Sequence, residues 1–133
     1  MGNVAISIGD WSKFVLFHLN AYQQDMNPSV LDSITIQKLH TPPNSATWLY
    51  DGIRYSYAFG WITVAESEGN YLLMHEGQGS SFSAIIEADQ KSKSAILIVT
   101  NAIIDLDCLH KAAKRIRKYY AAETNLPDQF LPK

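Results

Sequence analysis

The sequence predicts an α/β fold of the α+β kind, an antiparallel β-sheet flanked by N- and C-terminal helices. Three observations predict it. Apolar residues recur at helical spacing between Ile8 and Tyr22, β-branched and aromatic runs broken by turn residues fill Tyr55 to Asn101, and a second helical stretch with graded charge follows Asp105. A length of 133 residues, 47% hydrophobic and 18% charged, suits one core, so residues 1–133 are expected to form a single domain.

In the first helix Ser7 is a good N-cap, and Asp10 three residues on favours the positive helix end. Ile8, Trp11, Phe14, Val15, His18 and Tyr22 follow helical spacing, while Leu16, Phe17 and Leu19 make the other side apolar too. The helix is therefore expected to be buried widely, with His18 a hydrogen-bonded packing residue. Asn27-Pro28-Ser29 breaks the chain, and a shorter helix fits Ser33 to Leu39, closed by Thr41-Pro42-Pro43. His40 is expected on the surface at that helix end, where a cation is favoured. Asn44 to Arg54 is turn-rich, with Trp48, Leu49 and Tyr50 expected to anchor a loop. Tyr55 to Ala65 alternates and predicts one strand, and Glu66 to Asn70 a turn.

The centre of the chain predicts a three-stranded meander: Tyr71 to Gly77, Phe82 to Asp89 and Ser94 to Asn101, joined by Gln78-Gly79-Ser80-Ser81 and by Asp89-Gln90-Lys91-Ser92-Lys93. Side chains alternate along a strand, so His75 and Gly77 share one face and Glu76 takes the other. A ligand along that edge would meet an imidazole and then bare backbone. A histidine followed by glycine also serves as plain turn chemistry, and the residues alone leave both readings open. Ala95-Ile96-Leu97-Ile98-Val99 is an unbroken apolar run that suits a sheet interior and lacks the charge, proline or bulge that protects an edge. In the last helix Asp105 and Asp107 sit in the first turn and Lys111, Lys114, Arg115, Arg117 and Lys118 further on, over a stripe of Leu106, Leu109, Ala113, Ile116 and Tyr120. His110 lies near the polar side, and residues 123–133 form an irregular tail.

A net charge of −2, with basic residues clustered only on that last helix, gives no reason to expect a nucleic-acid partner. The lone Cys108 excludes an internal disulfide and is expected to be a small buried apolar residue. No stretch approaches the ~18 uninterrupted apolar residues of a membrane span, and no signal peptide is visible after Met1. His18, His40, His75 and His110 have no metal-ligand spacing, so neither a metal nor another cofactor is expected.

Tyr57-Ala-Phe-Gly60-Trp61, His75-Glu76-Gly77, Gly79-Ser-Ser-Phe82-Ser and Ile98-Val-Thr-Asn101, in that order, resemble the C-terminal half of the serine β-lactamase and penicillin-binding-protein family. The resemblance is to its class C β-lactamase-like branch, whose third motif is Lys-Thr-Gly or His-x-Gly; it extends back to Gly2-Asn3-Val4 and Ser7 to Phe14, and forward into the last helix. Ala58 stands where the family's Tyr-Gly-x-Gly-Trp segment has its first glycine. No serine here has a lysine three residues on, and Tyr22-Gln23-Gln24, Tyr55-Ser56-Tyr57 and Tyr119-Tyr120-Ala121 do not give Tyr-x-Asn. Both motifs precede the matched region in the family, so the chain looks like the C-terminal portion of a partial β-lactamase/transpeptidase-like fold.

The resemblance implies a parent serine hydrolase that acts on a β-lactam, a D-Ala-D-Ala peptide or an ester through an acyl-enzyme, with a small-molecule acyl substrate and a periplasmic or secreted location. His75, at the lysine position of Lys-Thr-Gly, would donate a hydrogen bond toward the Tyr-x-Asn side or a substrate carboxylate, with less positive charge than lysine brings. Gly77 would admit the substrate, the backbone N–H of Gln78 would donate to the oxyanion, and Asn101 matches a substrate-binding asparagine that could equally be a strand-ending turn residue. Glu76 faces away. The second oxyanion donor would be the missing serine's own N–H, so the fragment is expected to be inactive alone. The strands that flank Ala95 to Thr100 in the family are also missing, which leaves this strand unpaired on one side or paired with another copy as a homodimer. The alternative function is a non-catalytic module that self-associates or binds a partner.

Overall fold

Short connections between neighbouring strands decide the architecture. A computed structural model describes residues 5–20, 31–43, 47–65 and 71–124. Along the chain come α1 (Ile8–Asn20), α2 (Ser33–His40), β1 (Thr47–Tyr50), β2 (Ile53–Ala58), β3 (Trp61–Ala65), β4 (Tyr71–Gln78), β5 (Ser83–Asp89), β6 (Ser94–Thr100) and α3 (Leu106–Thr124). The six strands form one antiparallel sheet in sequence order, the α+β class expected. The chain divides into two compact units, Met1–His75 with Ile86–Leu97, and Glu76–Ile85 with Ile98–Lys133.

The helix ends follow from their caps. Ser7 Oγ accepts from the Asp10 N–H at 3.1 Å and donates to its carboxylate at 2.8 Å, so α1 starts where the Ser7–Asp10 pair predicts. The Asp32 carboxylate caps α2 by accepting from the Thr35 N–H at 2.6 Å. Pro42 disfavours helical backbone at Thr41, which takes an extended ψ of 112° and ends α2. Asp105 caps α3 through a 3.0 Å bond from the Asp107 N–H to its carboxylate.

Two hairpins lie where the sequence reading expected a loop and a single strand. Tyr50 pairs with Ile53 across Asp51-Gly52, and Ala58 with Trp61 across Phe59-Gly60; all four turn residues have positive φ, as a type I′ turn requires. Asp51-Gly52 is a strong hairpin signal in its own right. Phe59 at φ 43° is poor turn chemistry, which is why Tyr55 to Ala65 looked continuous. Trp48, Leu49 and Tyr50 lie in β1 and not in a loop; all three are exposed, and Trp48 stacks on Tyr55 of β2 with centroids 5.7 Å apart.

In the first unit, Val15 and Leu19 of α1 close on Trp61 of β3, Leu73 of β4, and Ile86 and Ala88 of β5, with Trp11, Tyr71, Ala95 and Leu97 packed at the margin. Two-residue alternation puts Tyr71, Leu73 and His75 on the α1 side of β4. α1 is not buried all round, since Ile8, Phe14 and Leu16 are exposed. Tyr22 and the Asn27-Pro28-Ser29 break lie outside the described residues, as do Glu66 to Asn70 and Gly2 to Val4.

In the second unit Ile85, Leu109 and Ala113 are the buried apolar residues among those described. The α3 stripe is shorter than expected, because Ile116 and Tyr120 are exposed, and the helix runs on to Thr124; residues 125–133 lie outside the described ones. Cys108 is exposed rather than buried, one position off the line of Leu109 and Ala113. Lys111 pairs with Asp107 at 2.6 Å on the solvated face. Among the described strands β6 is last in the sheet order and so unpaired on one side, as expected for a chain without the family's flanking strands; the run from Ala95 to Ile98 is half-buried with Val99 exposed.

Leu73, fully buried, and Leu49, 69% exposed, give a direct comparison. Leu73→Ala is expected to lower unfolding free energy by about 2 to 5 kcal/mol, and Leu49→Ala by less than about 0.5 kcal/mol, as read from urea midpoints.

Candidate functional site

In the first unit four residues from four elements join in one hydrogen-bonded chain. Tyr71 at the start of β4 donates its N–H to Gln90 Oε1 at 2.8 Å. Gln90, in the turn after β5, places its Nε2 2.9 Å from Nδ1 of His40, and His40 Nε2 lies 2.8 Å from Nδ1 of His18 on α1. His40 is 0% exposed and His18 5%, so His40 is an interior residue rather than the surface helix end expected, while His18 is the hydrogen-bonded packing residue expected. The displacement of His40 has a plain cause: its two ring nitrogens both have interior partners.

The chain fixes its own tautomers. A backbone N–H only donates, so Gln90 must turn its oxygen to Tyr71 and its NH₂ to His40. His40 Nδ1 then accepts, its proton sits on Nε2, and this donates to His18 Nδ1. The remaining proton of His18 is on its own Nε2. Neither ring favours a second proton: burial, then the neighbouring His18, pushes the pKa of His40 down to about 4, and burial lowers that of His18. Because the two rings share one proton between facing nitrogens, they do not offer a pair of lone pairs to a cation, and among the described residues no cluster of three metal-ligating side chains occurs.

Aromatic rings enclose the pair. Phe14, Phe17 and Trp61 stand tilted to His18 with centroids at 4.5, 5.8 and 5.2 Å. Beside them lies a cavity of about 660 Å³ lined by residues of the first unit, among them Trp11, Phe14, Phe59, Trp61, His18 and His75. His75 is thus an exposed residue on a cavity wall.

The second unit holds the other residues singled out in the sequence. Gly77 is exposed; no atom lies within 4 Å of where a Cβ would stand, and its φ is not positive. Neither packing nor backbone conformation in this chain demands glycine there. The Gln78 side chain donates to Ser83 Oγ at 3.1 Å and to the Ile104 carbonyl at 2.9 Å. Ser83 Oγ accepts from the Ile104 N–H at 3.0 Å, so the segment after β6 is tied to β5. Glu76, on the opposite face from His75 and Gly77 as alternation requires, meets His110 Nε2 of α3 at 3.0 Å. Asn101 is exposed just past β6. The hydroxyls of Ser7, Ser12, Ser83 and Ser92 donate to oxygens, not to the nitrogen of a histidine or lysine that could serve as a base.

No known family model matches the chain, and neither a curated protein nor a solved structure does. The site therefore rests on its own residues. His75, Gly77 and Gln78 all lie on β4 and all are exposed, so none of the three is under packed side chains. Sequence reasoning missed the His18–His40–Gln90 chain, because the three side chains come from positions 22 and 50 residues apart with no spacing rule to relate them.

The lowered pKa values carry a sign. The unfolded chain takes up protons near pH 6.5 and the folded one does so only near 4 at His40, so stability is full above about pH 6.5 and falls between there and about 4. The expected loss between pH 7 and 4.5 is about 2 kcal/mol by urea unfolding. In His40→Gln the loss over that interval shrinks by at least half, whatever the variant's starting stability.

Proposed function

We propose that this chain is the C-terminal part of a serine hydrolase of the β-lactamase and penicillin-binding type, inactive by itself, and that the exposed stretch from His75 to Gln78 serves its acyl-transfer site. The observation that carries this reading is Gly77. Glycine inside a strand weakens it by removing a packed side chain, and nothing in this chain's packing or backbone asks for it. Close approach of an outside group to bare backbone is a reason that remains. In the proposed enzyme a serine from a preceding segment attacks an amide or ester carbonyl, its proton leaving to a base on that same segment. The Gln78 N–H then donates to the oxyanion, an interaction worth roughly 2.7 to 4 kcal/mol in the transition state. His75 supplies a donor toward the substrate, and Asn101 binds it.

The end position of β6 favours a second reading. Ser94–Thr100 carries no proline or charge and has no strand beyond it in the sheet order, so it could pair with a second copy of the chain in a non-catalytic module. Sedimentation separates this from the first reading: a clean monomer at high concentration counts against self-pairing.

The isolated chain is expected to turn over neither a chromogenic β-lactam nor a p-nitrophenyl ester above buffer. Turnover abolished by a serine-reactive phosphonate would overturn the proposal. The DNA upstream of Met1 is expected to encode Ser-x-x-Lys. In the longer protein Gly77→Val is expected to slow acylation about 100-fold, the scale of a 1 Å misplacement, with the thermal midpoint unchanged.

A further inference from the structure

The imidazole of His18 is only half used. Its Nδ1 accepts from His40, its proton is thereby placed on Nε2, and that N–H finds no acceptor among the described residues, although His18 is 5% exposed and lines the 660 Å³ cavity. Buried donors are normally satisfied, and one left bare is costly enough to point to an absent partner. The wall around it is largely aromatic, with Trp11, Phe14, Phe17, Phe59 and Trp61, and none of its lining residues is an acid, lysine or arginine. Water needs about 2 to 4 polar partners to settle, which so apolar a wall supplies poorly. The volume falls in the range of about 300 to 1,000 Å³ usual for sites of small organic molecules.

We propose that this cavity binds an uncharged aromatic or alicyclic molecule through one carbonyl oxygen that accepts the Nε2–H of His18. The carbonyl is specified by the donor: Nε2 bears the proton, so the ligand must accept. Absence of net charge is favoured by the wall, whose lining has no acid, lysine or arginine to offset an ion as it loses water. The site lies wholly within the first unit and needs no nucleophile, so it goes beyond the acyl-transfer reading and stands if that reading fails.

Acetophenone and α-methylstyrene test it, since they differ only in carbonyl oxygen against methylene. In NMR titrations of the whole chain both probes are expected to shift the indole N–H signals of Trp11 and Trp61 and not that of Trp48, and acetophenone alone is expected to move the His18 Nε2 proton downfield. The ratio of acetophenone to α-methylstyrene affinity is expected to fall about fivefold in His18→Phe. A chain whose Trp11 and Trp61 signals ignore both probes at their solubility limit overturns the proposal. So does a His18 Nε2 proton that responds equally to the two, a comparison made in the unaltered chain and therefore independent of how the variant folds.

Discussion

The constraint on which the first unit depends is the direction of one backbone dipole. The Tyr71 N–H can only donate, and from it the orientation of Gln90, then of His40, then of His18 follows without further choice. Through that chain the end of α2, the buried face of α1 and the turn after β5 are fixed to the start of β4. Apolar packing of Val15, Leu19, Trp61, Leu73 and Ile86 supplies bulk stabilisation, which is non-directional. The polar chain supplies what packing lacks, a unique arrangement, because a shifted register would strand buried ring nitrogens.

The same residues set the chemistry of the cavity. His18, held neutral by His40 and set among aromatic rings, gives the wall a hydrogen-bond donor, and no acid, lysine or arginine lines it. His75 stands on the same side of β4 as Leu73, while Glu76 is turned toward His110 on the other. The proposed acyl-transfer role concerns His75 and Gly77 and not Glu76. Gln78 enters that proposal through its backbone alone, since its side chain is engaged with Ser83 and Ile104.

Local signals were legible in the sequence and relations between distant side chains were not. Ser7 with Asp10, and Thr41 before Pro42, marked helix ends because caps and proline act within four residues. The meander of β4, β5 and β6 was legible because alternation and turn residues are local too. Phe59-Gly60 was hidden by an aromatic at positive φ, and Asp51-Gly52 was legible in principle but lay among residues that looked like loop. The exposed side of α1 misled because Phe14 and Leu16 are apolar without being covered within this chain. His40 went astray for a deeper reason: a helix-end histidine is ordinarily solvated, and partners distant in sequence, His18 and Gln90, make its burial tolerable. Of the candidate site, the exposure of His75 and Gly77 and their shared face were foreseen, whereas the cavity beside His75 depends on α1 and could not be.

The tautomers of His18 and His40 test the central claim most directly, and ¹⁵N-detected correlation spectra of the two rings at pH 7 report them. Both rings are predicted to be neutral with the proton on Nε2 and a bare Nδ1. A proton on Nδ1 of either ring, or an imidazolium at either position, would contradict the single donor direction from Tyr71 to His18.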